Sequence, residues 1–174
     1  MTCRMLANWE SLLIEATLQE VILWYDLHRL QEHYVSILDS GHFEEWPSLF
    51  TDDGVYEIVP NENSGQDAPF SIMHCFGRAM MHDRIISLRM ANDFEPHSYR
   101  HLTSGLEFSQ IDGSTIEMQS NYVLVQTLPG GESRVYQAGR YVDRVVRTPE
   151  GWRYQRKRAV YDASPIHALL AVPV

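Results

Sequence analysis

The chain has 174 residues, is 44% hydrophobic and carries a formal charge of −9, with an isoelectric point near 5.3. That is enough apolar material for an ordinary globular core, and the acidic balance argues against nucleic acid or an anionic membrane as partner, since either needs an electropositive face. Two cysteines, Cys3 and Cys75, exclude a disulfide framework and a four-cysteine metal site. With no secretory leader pattern and no run of about 18 apolar residues, a cytoplasmic location without membrane contact is expected.

In chain order, residues 1–20 read as an N-terminal extension, amphipathic through Leu6, Trp9, Leu12 and Leu13, ahead of one domain over 21–174. From Glu20 to Asp39, Trp24, Leu27, Tyr34, Val35 and Leu38 share one arc of a helical wheel at roughly 100° per residue, which predicts a long amphipathic helix. Gly41 ends it. A short helix follows through Glu44, Glu45 and Trp46 to Phe50, with Pro47 near its start, and Asp52, Asp53 and Gly54 make a turn. Val55 to Pro60 is a first strand, Asn61 to Pro69 a polar loop, and Ala79 to Asn92 a third helix. Beyond Pro96 the apolar period becomes two, over Ser98 to Ile111, Thr115 to Leu128, Ser133 to Arg147 and Trp152 to Val160. Asp112-Gly113, Pro129-Gly130-Gly131 and Pro149-Glu150-Gly151 separate these segments with turn chemistry, so they form consecutive hairpins. Helices first and a curled antiparallel or mixed sheet afterwards make an α+β arrangement with a cone-shaped space between them. The apolar end, Pro165 to Val174, has to be tied down against its own domain or a neighbouring subunit.

Metal and cofactor motifs are absent from the sequence. His28 and His33 point roughly 140° apart on a helix, so one metal cannot take both. A Rieske cluster needs paired Cys and His spacings that Cys3 and Cys75 lack. No phosphate loop or Gly-x-Ser-x-Gly elbow occurs.

The densest polar stretch runs from Met80 to Glu107. His82 and Arg89 fall inside the wide apolar arc of the third helix and are expected to be partly buried. One reading combines His82 and His101 with a carboxylate, Asp53 or Asp83, as an acid/base set. The other makes Asp83, Arg84, Arg100 and His101 a hydrogen-bonded network joining helix to sheet, the commoner use of such pairs. Of the 14 Lys and Arg residues only Lys157 is a lysine. Arg140, Arg144, Arg153, Arg156 and Arg158 line the last hairpin, as a solvated face or a docking surface for an acidic partner.

From Leu27 to Val174 the chain resembles the small (beta) subunit of aromatic-ring-hydroxylating dioxygenases, whose fold is the NTF2-like (SnoaL-like, cystatin-like) cone. The resemblance rests on the long first helix, Glu45-Trp46-Pro47 with Phe50 before an acidic turn, Tyr56, Asp83-Arg84 and Tyr99-Arg100-His101. It continues in Gly139-Arg140-Tyr141 with Asp143, and in the closing Arg158-Ala159-Val160-Tyr161-Asp162. It implies a structural subunit without catalytic residues or metal, with Arg140, Arg144, Arg156 and Arg158 as interface candidates. It also implies a large (alpha) subunit carrying a Rieske [2Fe-2S] cluster and mononuclear Fe(II), an alpha3beta3 hexamer, and NADH supplying electrons through a reductase. The likeness is greatest to members acting on aromatic carboxylic acids. The alternative is a stand-alone NTF2-like dehydratase or isomerase using His82, His101, Asp53 and Tyr56 in the cone.

Overall fold

The computed structural model describes residues 17–63, 71–90, 97–162 and 173–174. The expectations for residues 1–16, most of the Asn61 to Pro69 loop and most of the Pro165 to Val174 tail fall outside them.

Helix α1 spans Leu18–Ser40. It opens with a capping box: Thr17 Oγ1 accepts from the Glu20 N–H at 3.2 Å, and the Thr17 N–H donates to Glu20 Oε2 at 2.7 Å. Gly41, at φ 74°, ends it in the left-handed conformation that a Cβ disfavours. A 3₁₀ helix, Phe43–Leu49, carries Pro47 in its interior and not at its start.

Strand β1 runs Phe50–Pro60, longer than expected, so Asp52, Asp53 and Gly54 lie inside a strand. They look like a turn because the register against the partner strand shifts between Phe50 and Val55, a bulge that admits turn residues without ending the strand. A short 3₁₀ turn, Asn61–Asn63, precedes an unexpected strand β2, Met73–Phe76. Helix α2 occupies Gly77–Met90. Strands β3 (Ser98–Gln110), β4 (Thr115–Thr127), β5 (Ser133–Thr148) and β6 (Gly151–Tyr161) follow as the alternation requires.

The six strands lie in the order β2-β1-β6-β5-β4-β3. The hairpins are antiparallel and β1 joins β6 in parallel, so the sheet is mixed. Register shifts that place an extra residue in β3, in β5 and in β6 bend it into a curve. Gly105, at φ 63°, sits at the β3 shift. At Gly139 a Cβ would stand 2.0 Å from the Val160 carbonyl oxygen, so only glycine lets β5 and β6 approach.

Both helices cover the concave face, with α1 against β3 and β6, and α2 against β1 and β2. The core between them is aromatic. Tyr34 meets Tyr141 and Tyr154 edge to face at 5.9 and 5.8 Å, Tyr122 stacks on Tyr141 at 4.5 Å, and Trp46 abuts Tyr56 at 5.0 Å. Each such pair contributes about 0.5–1.5 kcal/mol beyond its buried area. The Tyr56 hydroxyl donates to the Val174 carbonyl and accepts from the Val174 N–H, each at 2.8 Å, and Tyr34 donates to the same carbonyl at 2.5 Å. Residue 174 is thus fastened inside its own cone.

Candidate functional site: a filled cone and its surroundings

At the centre of the cone lies the chain's single lysine. The bulge between Arg144 and Val145 resets β6 so that Lys157, Ala159 and Tyr161 face inward while Arg156 and Arg158 face out. Lys157 is 0% exposed. Its Nζ donates to Asp143 Oδ2 at 2.7 Å and to Gln31 Oε1 at 3.1 Å. It also lies 3.9, 4.3 and 4.5 Å from the ring centroids of Tyr141, Tyr34 and Tyr154. Burial pushes the Asp143 carboxyl up to about 6 and the Lys157 ammonium down, and the charge of each opposes the other's shift. The close contact and the three rings favour the ion pair at neutral pH. Burial likewise raises the phenols of Tyr34, Tyr141 and Tyr154 far above their ordinary range.

The four residues of the alternative acid/base set do not meet. Tyr56 and the His101 ring are buried, whereas His82 and Asp53 are exposed, and none of them lines the cavities described below. Tyr56 is committed to Val174 on both sides of its hydroxyl. The expected burial of His82 and Arg89 also fails. Helix α2 packs through the narrow stripe Met81, Ile85 and Leu88, which leaves both outside. Arg89 instead clasps Glu44 at 2.8 and 3.0 Å and the Gly41 carbonyl at 2.8 Å. That clasp holds the Glu44 carboxyl down at about 2.

The expected network from α2 to β3 is likewise corrected. His101 and Arg100 face Asp39 of α1, not Asp83. Asp39 Oδ1 lies 2.6 Å from His101 Nδ1, its two oxygens accept from the His101 N–H at 3.2 and 3.0 Å, and Arg100 stands 3.9 Å away. The reason is the strand order. Helix α2 packs on β1 and β2, whereas His101 lies on β3 at the other end of the strand order; Asp83 is exposed and Arg84 half-buried.

The interface candidates gather on the convex face, already matched. Glu57 accepts from Arg156 at 3.0 Å and Arg158 at 3.1 Å, Arg144 donates to Glu117 at 2.7 Å, and Arg140 to Asn61 at 3.0 Å. Cavities open among the described residues as well. A groove of about 710 Å³ runs between α1 and the β5–β6 turn, and two pockets of about 100 Å³ lie by Glu117 and by Trp24. Among the described residues no three His, Cys, Asp or Glu side chains converge as a metal site requires. His28 stacks on Trp24 at 4.9 Å while His33 is exposed in the groove. No helix among the described residues is long and apolar enough to cross a membrane.

Residues 25–158 match the model of the SnoaL-like domain family. Over 162 residues the chain is 49% identical to the anthranilate 1,2-dioxygenase small subunit of Burkholderia cepacia, covering 92% of this chain and 100% of that one. The chain belongs to the small subunits of aromatic-ring-hydroxylating dioxygenases. A beta subunit of the terephthalate 1,2-dioxygenase terminal oxygenase component from Comamonas sp. is 28% identical, over 81% of this chain and 92% of that one. A solved structure from Novosphingobium aromaticivorans, assigned as the beta subunit of such a dioxygenase, superposes with a TM-score of 0.81 at 32% identity, covering 88% and 98% of the two chains. The α+β cone of this small subunit is therefore the SnoaL-like, NTF2-like fold expected from its sequence. Its membership implies a large-subunit partner.

What sequence reasoning missed is the Lys157 centre. Period-two alternation through Lys157, Ala159 and Tyr161, between outward-facing Arg156 and Arg158, turns the lone lysine inward and is the signal in the sequence that could have found it.

Proposed function

We propose that this small subunit is the structural component of a terminal oxygenase acting on an aromatic carboxylic acid. The Rieske [2Fe-2S] cluster and mononuclear Fe(II) reside in the large subunit, the assembly is alpha3beta3, and NADH delivers electrons through a reductase in the cytoplasm. The observation that carries this reading is the cone. Where a stand-alone enzyme of this fold needs an open pocket with convergent acid and base, this one holds an ion pair, packed phenols and its own Val174. The donor set described here suits neither iron centre, so no catalytic step is assigned to this chain. The relatives named for anthranilate and terephthalate dioxygenases support the carboxylated substrate class.

In this reading residues 21–174 form one domain with residues 1–20 as an extension. Asp39, Arg100 and His101 brace α1 to the sheet edge. Arg140, Arg144, Arg156 and Arg158, held by their own partners, form a preorganised outer face for subunit contact. Co-expression with the large subunit followed by native mass measurement tests the proposal. Equal numbers of the two chains, with iron and acid-labile sulfide present only when the large subunit is present, are expected. A small subunit that purifies alone and dehydrates or isomerises a substrate would refute it.

A further inference from the structure

Trp24, His28 and Gln31 succeed one another at helical spacing on one side of α1. Facing them is the β3 bulge, where the register against β4 shifts between Ser104 and Glu107 and Gly105, at φ 63°, takes the backbone conformation the extra residue needs. A pocket of about 100 Å³ lies between the two. The Trp24–His28 stack and Leu106 wall it, and Gln31 and Ser120, each 2% exposed, form its inner side.

Two polar atoms on that inner side are unanswered. Gln31 Oε1 accepts from Lys157 Nζ at 3.1 Å and from the Tyr154 hydroxyl at 3.3 Å. An ammonium only donates, so the amide oxygen is fixed toward Lys157 and Nε2 is turned away from it. Neither Gln31 Nε2 nor Ser120 Oγ has a hydrogen-bond partner among the described residues, and buried groups of this kind are ordinarily answered. Thr103, also on the pocket, differs in that its hydroxyl is committed to Glu32 at 3.0 Å. The outer wall is movable: Trp24 is 42% exposed and His28 comparably open, and exposed side chains change rotamer within nanoseconds, which lets a guest pass inward beside them.

The lining also selects the kind of guest. Among the described residues around the pocket there is no Asp, Glu, Lys or Arg, and a charge buried without a partner is costly. Glu32, 3.9 Å from His28, places a negative charge at the rim, which disfavours anions further. An apolar cavity of about 150 Å³ holds benzene, so a smaller pocket open on one side suits a single ring, for which the stacked Trp24 offers a flat face.

We propose that this pocket binds a small uncharged molecule with one aromatic ring and a hydroxyl or carbonyl oxygen, phenol being the simplest. The ring lies against Trp24 and Leu106, and the oxygen accepts from Gln31 Nε2 and shares a hydrogen bond with Ser120 Oγ. This goes beyond the structural role described above and needs no large subunit.

The test is titration of the full chain at pH 7 with phenol, toluene and benzoate, followed by ligand-observed NMR and calorimetry. Phenol is neutral at this pH and benzoate is not. Phenol should bind one site with a Kd of about 1 mM or tighter. Toluene, which lacks the oxygen, and benzoate, which brings a charge, should bind at least about fivefold more weakly. Ser120→Ala removes a hydroxyl that has no partner, so thermal unfolding should not fall. It should weaken phenol at least about fivefold and leave toluene unchanged, a split that general damage to the fold does not produce. Trp24→Ala should weaken both, and Gly113→Ala, away from the pocket, neither. Absence of saturable phenol binding below about 10 mM overturns the proposal. So does toluene or benzoate binding within about twofold of phenol, or a Ser120→Ala chain that holds phenol as wild type does.

Discussion

Replacing Lys157 with methionine isolates the energetic role of the charged centre, because Met fills similar space and the change removes a charge more than a volume. The bond to Asp143 at 2.7 Å, the bond to Gln31 at 3.1 Å and the contacts with three tyrosine rings are lost. Breaking one side of a buried ion pair costs about 3–5 kcal/mol, since the remaining charge has no compensation. Asp143 escapes part of this by taking up a proton, because burial has already raised its carboxyl to about 6. The expected loss at pH 7 is therefore at the lower end, about 3 kcal/mol. For a chain of this length that lowers Tm by about 6–12 °C and moves the urea midpoint without changing its slope. Removing both charges, as Lys157→Met with Asp143→Leu, should recover most of the loss, because a buried pair exchanged whole for apolar groups is close to neutral. Urea unfolding of wild type, both single variants and the double variant at pH 7 measures all four corners of the cycle. A Lys157→Met chain within about 1 kcal/mol of wild type, or a double variant as unstable as the single, refutes the reasoning.

Acidity probes the same centre differently. The folded value of Asp143, about 6, lies above the ordinary unfolded value of about 3.9, so the folded chain keeps a proton that the unfolded chain has released between these limits. The contribution of Asp143 is thus fully present below about pH 4 and is lost as pH rises through about 6, and wild type should lose stability relative to Asp143→Asn when unfolding is followed from pH 4 to 7. A gain over that range contradicts the assignment. Gly139→Ala should cost about 3 kcal/mol or more, because the new Cβ meets backbone atoms of Val160 and Tyr161 that cannot yield separately. Gly113→Ala, with open space around it, should stay within about 0.5 kcal/mol, as thermal melts of the two would show. His101→Ala removes the 2.6 Å contact with Asp39 and should cost about 1–3 kcal/mol while leaving turnover per assembled oxygenase unchanged. An intact assembly with abolished turnover would make His101 catalytic.

The hairpins from β3 to β6 were legible because period-two alternation and turn dipeptides act locally. Helix α1 was legible to within a few residues, and its capping box at Thr17 and Glu20 was available in the sequence as well. Strand β2 was not. Its four residues follow a polar segment, and they form a strand only because Met73 to Phe76 pair with Val55 to Ile58, which no local pattern can announce. The same limit explains the bracing pair. Asp39 and His101 lie 62 residues apart, and the nearer Asp83 was favoured because the order of strands, which separates α2 from β3, is a property of the whole sheet. The wide apolar arc assigned to α2 failed for a related reason: Ile86 and Met90 are apolar yet exposed, so hydrophobicity alone misjudged which face the sheet covers.

The hydrogen bonds from Tyr34 and Tyr56 to Val174 span 140 and 118 residues of sequence. Contacts of such separation close long loops, at a cost that grows only logarithmically with loop length. Two buried phenols, one on α1 and one on β1, are therefore satisfied by a residue that follows every strand of the sheet in sequence. Removing this one residue would strip both hydroxyls of these partners, so a single position far along the chain bears on how firmly α1 and β1 hold together.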